Sequence, residues 1–158
     1  MKDKLLKYYK IIVSACVLLS VIVLFFNCGA YIINGEKITV VNGFHMIFGK
    51  TDDGYKFLKF NGVGAILLLL MIWSMIMPHL ENSVGKFTDI ICAVLLVLSG
   101  VVYLLLPSTT VHSSSFVENN FYGLPMLYVG AIIMFVGAIF SAFMFCLKLK
   151  IKNNKAVK

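Results

Sequence analysis

The chain has 158 residues, of which 60% are hydrophobic and 13% charged, with a formal charge of +7. Soluble domains carry about 45–50% apolar residues, so one small core cannot absorb this excess and lipid must be part of the solvent. That excludes a soluble globular domain, a disordered chain and a disulfide-rich secreted scaffold. All 14 basic residues are Lys. They gather at two ends of the spans, so membrane topology accounts for the charge and no nucleic-acid partner is expected.

Four apolar runs set the architecture, with spans at about 8–28, 60–77, 87–106 and 124–147. A spanning helix needs about 20 mostly apolar residues. Inside a bilayer the backbone must satisfy its own amides, so the runs are helices. Pro78 and Pro107 read as stops after the second and third runs, and Pro125 as a first-turn residue of the fourth. The expected fold class is an all-α membrane bundle of four transmembrane helices with a small extracytoplasmic β-meander in the first outer loop. Residues 1–158 form a single domain with outer loops 29–59 and 107–123 and a basic tail 148–158.

The first run has a basic start but no small-x-small cleavage site, since Phe25-Phe26-Asn27-Cys28 is bulky. It reads as a retained span rather than a cleaved signal peptide. Orientation follows from lysines near the span ends. Lys2, Lys4, Lys7, Lys10, Lys86, Lys148, Lys150, Lys152, Lys155 and Lys158 fall on one side, against Lys37, Lys50, Lys56 and Lys59 on the other. The expected location is the plasma (cytoplasmic) membrane, multi-pass, with both termini cytoplasmic.

Loop 29–59 carries the turn dipeptides Asn34-Gly35, Asn42-Gly43 and Asp53-Gly54 between runs rich in β-branched and aromatic residues. Asn-Gly supplies the positive φ of a tight hairpin, and the pattern predicts strands at 31–33, 37–41, 44–48 and 55–60. Alternation then puts Phe44, Met46 and Phe48 on one face, and Tyr55 and Phe57 on another strand's face. The competing reading is an irregular loop with a re-entrant segment at 57–60. In the second outer loop, residues 109–112 or 115–118 are candidate edge strands, beside the plainer reading of a connector.

Two cytoplasmic termini, a long first outer loop reading as a meander, a short inner loop and a shorter second outer loop resemble the claudin-type four-span architecture. The likeness is one of layout. The claudin signature of Trp, Gly-Leu-Trp and two Cys is absent, since this loop holds no Trp and only Cys28, so junctional function is not implied. The stretch Asn42-Gly43-Phe44-His45-Met46-Ile47-Phe48-Gly49 is similar to loop motifs of small bacterial membrane proteins and implies no activity.

Candidate chemistry is sparse. Cys16, Cys92 and Cys146 lie in spans without a C-x-x-C, and read as small hydrophobes. Asp89 is the one acidic residue near a span; it reads as a helix-end charge, with ion coupling as the alternative. His45, His79 and His112 lack ligand spacing, so no metal or cofactor is expected. In the fourth span Gly137-x-x-x-Ser141 and Ala138-x-x-x-Ala142, with Gly130 a heptad earlier, make a small-residue stripe for close helix packing, within the bundle or against a partner.

The expected function is a non-catalytic accessory, scaffold, regulatory or immunity-type membrane protein, not an enzyme. Its predicted contact face is Phe44, Met46, Phe48, Tyr55 and Phe57. Expected partners are membrane lipid, another membrane or extracytoplasmic protein, or a second copy of the chain. The alternative is a subunit of an oligomeric transporter or channel. The opposing reading of the aromatic face is that its side chains pack down on the helix ends.

Overall fold

The computed structural model describes residues 2–33, 36–52, 55–80, 87–113 and 120–156. It is mostly helical, with three long apolar helices and a small β component. In chain order the elements are α1 (Lys2–Val23), β1 (Asn27–Ile33), β2 (Glu36–Asn42), α2 (Gly43–Phe48), β3 (Lys50–Asp52), β4 (Tyr55–Leu58) and α3 (Gly62–Ile76). A 3-10 turn, Met77–His79, then leads to α4 (Thr88–Thr109), β5 (Phe121–Gly123) and α5 (Met126–Ala156). Gly62–His79, Thr88–Thr109 and Met126–Lys150 are long and apolar enough to cross a membrane, and Tyr8–Val23 is a shorter apolar stretch within α1.

The helices pack α3 on α4, α4 on α5 and α5 on α1, with a thinner α1–α3 seam closing the group. Apolar side chains such as Val17, Met71, Leu96 and Met134 fill the interior. Each helix also turns large apolar residues outward, among them Leu19, Leu69, Leu98 and Ile139. That distribution suits an apolar solvent.

Helix ends follow from local chemistry. Asn61 Oδ1 accepts from the amides of Val63 and Gly64 at 3.0 and 3.3 Å, capping α3. Pro107 does not stop α4 as the sequence predicts; the helix runs through it to Thr109. Proline costs one hydrogen bond here, in the last turn. Below it the hydroxyls of Ser108, Thr109 and Thr110 turn back onto the carbonyls of Leu105 and Leu106, occupying acceptors that the helix end leaves open. The helix of the first run also ends earlier than residue 28: α1 runs from Lys2 and stops at Val23, and Asn27 and Cys28 already belong to β1.

The β component differs from one meander. Among the described residues there are two sheets, β2-β1-β5 and β3-β4, all antiparallel. The strand expected over 44–48 is instead helix α2, which separates the two sheets. The Asn42-Gly43 hairpin is overturned with it. Asn42 is the N-cap of α2, with Oδ1 accepting from His45 N at 2.8 Å. Gly49 ends α2 at φ 96° and ψ 165°, a conformation all but reserved for glycine. The turns expected at Asn34-Gly35 and Asp53-Gly54 fall outside the described residues, between Ile33 paired with Glu36 and Asp52 paired with Tyr55.

The third strand of the larger sheet comes from the second loop. Phe121–Gly123 pairs with β1, flanked by Ile32 N to Asn120 O at 2.9 Å and Leu124 N to Cys28 O at 2.8 Å. Of the two edge segments expected, 109–112 contributes a single bridge, His112 to Leu58, and 115–118 lies outside the described residues. The sheets therefore tie the start of α3, the end of α4 and the start of α5 together at one end of the helices, called the sheet end below.

Candidate functional site

Phe44, Met46 and Phe48, expected on one strand face, do not share one. In a helix, residues four apart fall on the same side and residue two falls opposite. Phe44 and Phe48 therefore stack at 6.3 Å with an interplanar angle of 6°, while Met46 points into the core and is fully buried. Phe57, on β4, is half-buried against Tyr31 at 5.4 Å. Tyr55 lies on the same strand, and its side chain is outside the described residues.

What the fold assembles instead is a ladder of phenylalanines at the sheet end. Phe25, at the turn after α1, lies 4.6 Å from Phe44, which continues to Phe48, which lies 6.5 Å from Phe60. Phe25, Phe48 and Phe60 are 65%, 57% and 59% exposed. The ladder is held on a rigid base. Ile47 packs where a Cβ on Gly64 would come within 2.7 Å of it, and Ile47 O accepts from Asn61 N at 2.8 Å. Phe25 and Phe60 lie outside the predicted contact face; the one signal for Phe25 in the sequence is its place at the end of the first apolar run.

A second aromatic group fills the space between the two sheets. Tyr31, 2% exposed, meets Phe57, Phe121 and His112, and its hydroxyl lies 3.3 Å from His112 Nδ1. Burial pushes the Tyr31 hydroxyl above the usual phenol range. Beside it opens a cavity of about 330 Å³ lined by Pro107, Ser108, His112 and Phe121.

The small-residue stripe of α5 is used inside the chain. Gly130 receives the Tyr103 ring, so that a Cβ there would lie 2.5 Å from it, and Gly137 faces Cys16 and Leu96. Ala138 and Ser141 are buried and Ala142 is half-buried. Tyr103 in turn donates to Ser20 O, and Ser20 to Gly130 O at 3.3 Å, so α1, α4 and α5 are stitched where they come closest.

Ser141 belongs to a polar node at the opposite end. Its hydroxyl donates to Asp89 O at 2.8 Å and takes the hydroxyl of Tyr9 at 2.8 Å. The Asp89 carboxylate pairs with Lys148 Nζ at 2.6 Å, and Lys148 also sits 5.5 Å above the Tyr9 ring. Asp89 is thus a buried, paired charge in the first turn of α4. It holds the first-turn place that the sequence suggested, and what the sequence did not mark is its burial and its pairing with Lys148. All four cysteines are free. Among the described residues no three His, Cys, Asp or Glu side chains gather so that they could hold a metal ion.

A scan of the chain against protein-family models finds no match, and neither a search of curated proteins nor one of solved structures finds one.

Proposed function

We propose that the chain is a four-span protein of the plasma membrane, with both termini cytoplasmic, that acts by protein contact through the phenylalanine ladder at its outer end. The fourth span is α1. Its apolar stretch is short, but its 22 residues extend about 33 Å at 1.5 Å per residue. It also turns Ile11, Leu18, Leu19 and Ile22 outward like the other three. Lysines at its start and after α5 supply the positive-inside bias. The claudin-like likeness is retained as one of layout: helices below, a sheet shared by both outer loops above.

The observation that carries the contact reading is the exposure of Phe25, Phe48 and Phe60 in one connected row. Contiguous exposed aromatics rimmed by polar loops mark interaction sites. A photo-crosslinking phenylalanine analogue at position 48 tests this, with Leu69 as a lipid-facing control. A discrete protein adduct at 48 and none at 69 supports the reading; lipid adducts alone at both positions overturn it. Topology is tested separately, with single cysteines at Ser114 and Asn154 in a background lacking the four native ones. An impermeant thiol reagent on intact cells should label the first only.

A second reading, a subunit of an oligomeric transporter or channel, draws on the Asp89–Lys148 pair, because ionisable groups inside a helix bundle mark ion pathways by default. Against it, Ser20, Ser74, Ser99 and Ser141 are fully buried and spend their hydroxyls on backbone carbonyls, so they act as interhelical or intrahelical ties. Flux through reconstituted proteoliposomes would favour this second reading.

A further inference from the structure

The seam between α1 and α3 is the open one. A groove of about 230 Å³ runs along it, lined on α1 by Val17, Leu18 and Val21 and on α3 by Leu68, Met71, Ile72 and Met75, with Phe44 closing its outer end. Every lining side chain is apolar. Both stripes continue past the groove at helical spacing into polar residues. Met75 on α3 leads to His79 in the 3-10 turn that continues it; on α1, Val17 and Leu18 lead to Ser14 and then Lys10. Ser14 Oγ and His79 Nε2 lie 3.4 Å apart and bridge the two helices at the groove's inner mouth.

We propose that this groove binds one acyl chain of an anionic phospholipid, whose phosphate is held at the mouth by the Ser14 hydroxyl and the His79 ring, within the field of Lys10. The groove is lined by Val, Leu, Ile, Met and Phe, with no Gly, Ala or Ser that would let a helix backbone approach closely. Helix partners in lipid also select small residues at the seam, and the small-residue stripe of the chain is already occupied inside the bundle. A flexible hydrocarbon chain matches a groove with no polar lining. The mouth supplies hydroxyl and imidazole groups for a phosphate and, at Lys10, a positive charge; the cytoplasmic leaflet, where this end sits in the proposed topology, is the one rich in anionic lipid. The inference rests on that topology but not on the phenylalanine ladder.

Native mass spectrometry of the full chain in mild detergent tests it, with phosphatidylglycerol and phosphatidylcholine of identical acyl chains added in turn. The wild type should retain one phosphatidylglycerol, preferred about fivefold over phosphatidylcholine. Leu18→Trp with Ile72→Trp fills the groove and should abolish retention, while Leu69→Trp, on an exposed face outside the groove, should leave it unchanged. Lys10→Gln with His79→Gln should keep one lipid bound and remove the preference. Retention by the groove-filled variant at the wild-type level overturns the inference. So does a dimer in the wild type that the groove-filling substitutions dissociate, since the occupant is then a second copy. A groove-filled variant that does not elute as a folded monomer is replaced by Ile72→Phe alone, for which a partial loss of retention is expected and no loss is refuting. Trp73, the one tryptophan and half exposed on α3, separates the premises. Quenching by acyl-brominated bulk lipid in nanodiscs places α3 in the bilayer. Its absence refutes the topology and the lipid site together; quenching without retained lipid refutes the lipid site alone.

Discussion

Lys148 Nζ lies 2.6 Å from Asp89 Oδ2 across the α4–α5 seam, and the two partners differ in their access to water: the lysine side chain is 27% exposed and the aspartate 2%. Removing either partner therefore has unequal consequences. Lys148→Met strands a buried carboxylate, which costs about 3–5 kcal/mol when a buried pair is broken. Asp89→Asn leaves an ammonium that reaches water along its own stem, and it should cost no more than about 2 kcal/mol. The double variant should recover most of the Lys148→Met loss. Unfolding in mixed micelles checks the order; equal single losses, or no recovery, would refute it.

The short helix α2 depends on its two ends. Asn42→Ala removes the acceptor for His45 N and should cost about 1 kcal/mol. Gly49→Ala should cost more, about 1–3 kcal/mol, because φ 96° with ψ 165° is strained for any L side chain. A Cβ at Gly49 would also lie 2.8 Å from Leu58 O. Stability in detergent, measured on both variants, should rank Gly49→Ala below Asn42→Ala; the reverse ranking contradicts the assigned backbone.

These two ends also explain what was legible in the sequence. Long apolar runs announced the helices, since only helices satisfy their own backbone over that length. The segment 43–48 was ambiguous. Phe44, Met46 and Phe48 alternate as a strand would, while Asn42 and Gly49 are the helix caps that decide otherwise. Pro107 misled because a proline in the last turn breaks little. Asp89 and Lys148 are far apart in sequence, and no local spacing marks their pairing. The phenylalanine ladder draws its rungs from three separate segments of the chain, so only the tertiary fold could align Phe25 and Phe60 with Phe48.

Tyr31 gives the sheet end an alkaline limit. Burial raises its hydroxyl above the ordinary phenol value of about 10. A raised folded value means that the neutral form is favoured by folding. The contribution is complete below the unfolded value and is lost as pH rises above it. Unfolding transitions recorded at increasing pH should show a loss of stability beginning near pH 10, and Tyr31→Phe should reduce that loss. An unchanged alkaline profile in Tyr31→Phe would place the titrating group elsewhere.

The stripe of small residues on α5 makes graded steric predictions. A Cβ at Gly130 would lie 2.5 Å from the Tyr103 ring, whereas at Gly137 the nearest atom, Cys16 Cβ, would be 3.3 Å away. Tyr103 is fully buried and fixed by its hydrogen bond to Ser20 O, so it cannot swing aside without losing that bond. Cys16 is half-buried on α1, and a shift of a few tenths of an ångström relieves the closer approach there. Gly130→Ala should therefore cost about 1–3 kcal/mol, the range for overpacking a filled interior, and Gly137→Ala less than about 1 kcal/mol. Adding Tyr103→Phe to Gly130→Ala releases the ring but leaves Ser20 O without its donor, so it should not restore stability. Adding Tyr103→Leu clears the space and should restore part of it. If Gly130→Ala proves as mild as Gly137→Ala, the Tyr103 ring does not occupy the gap that Gly130 leaves.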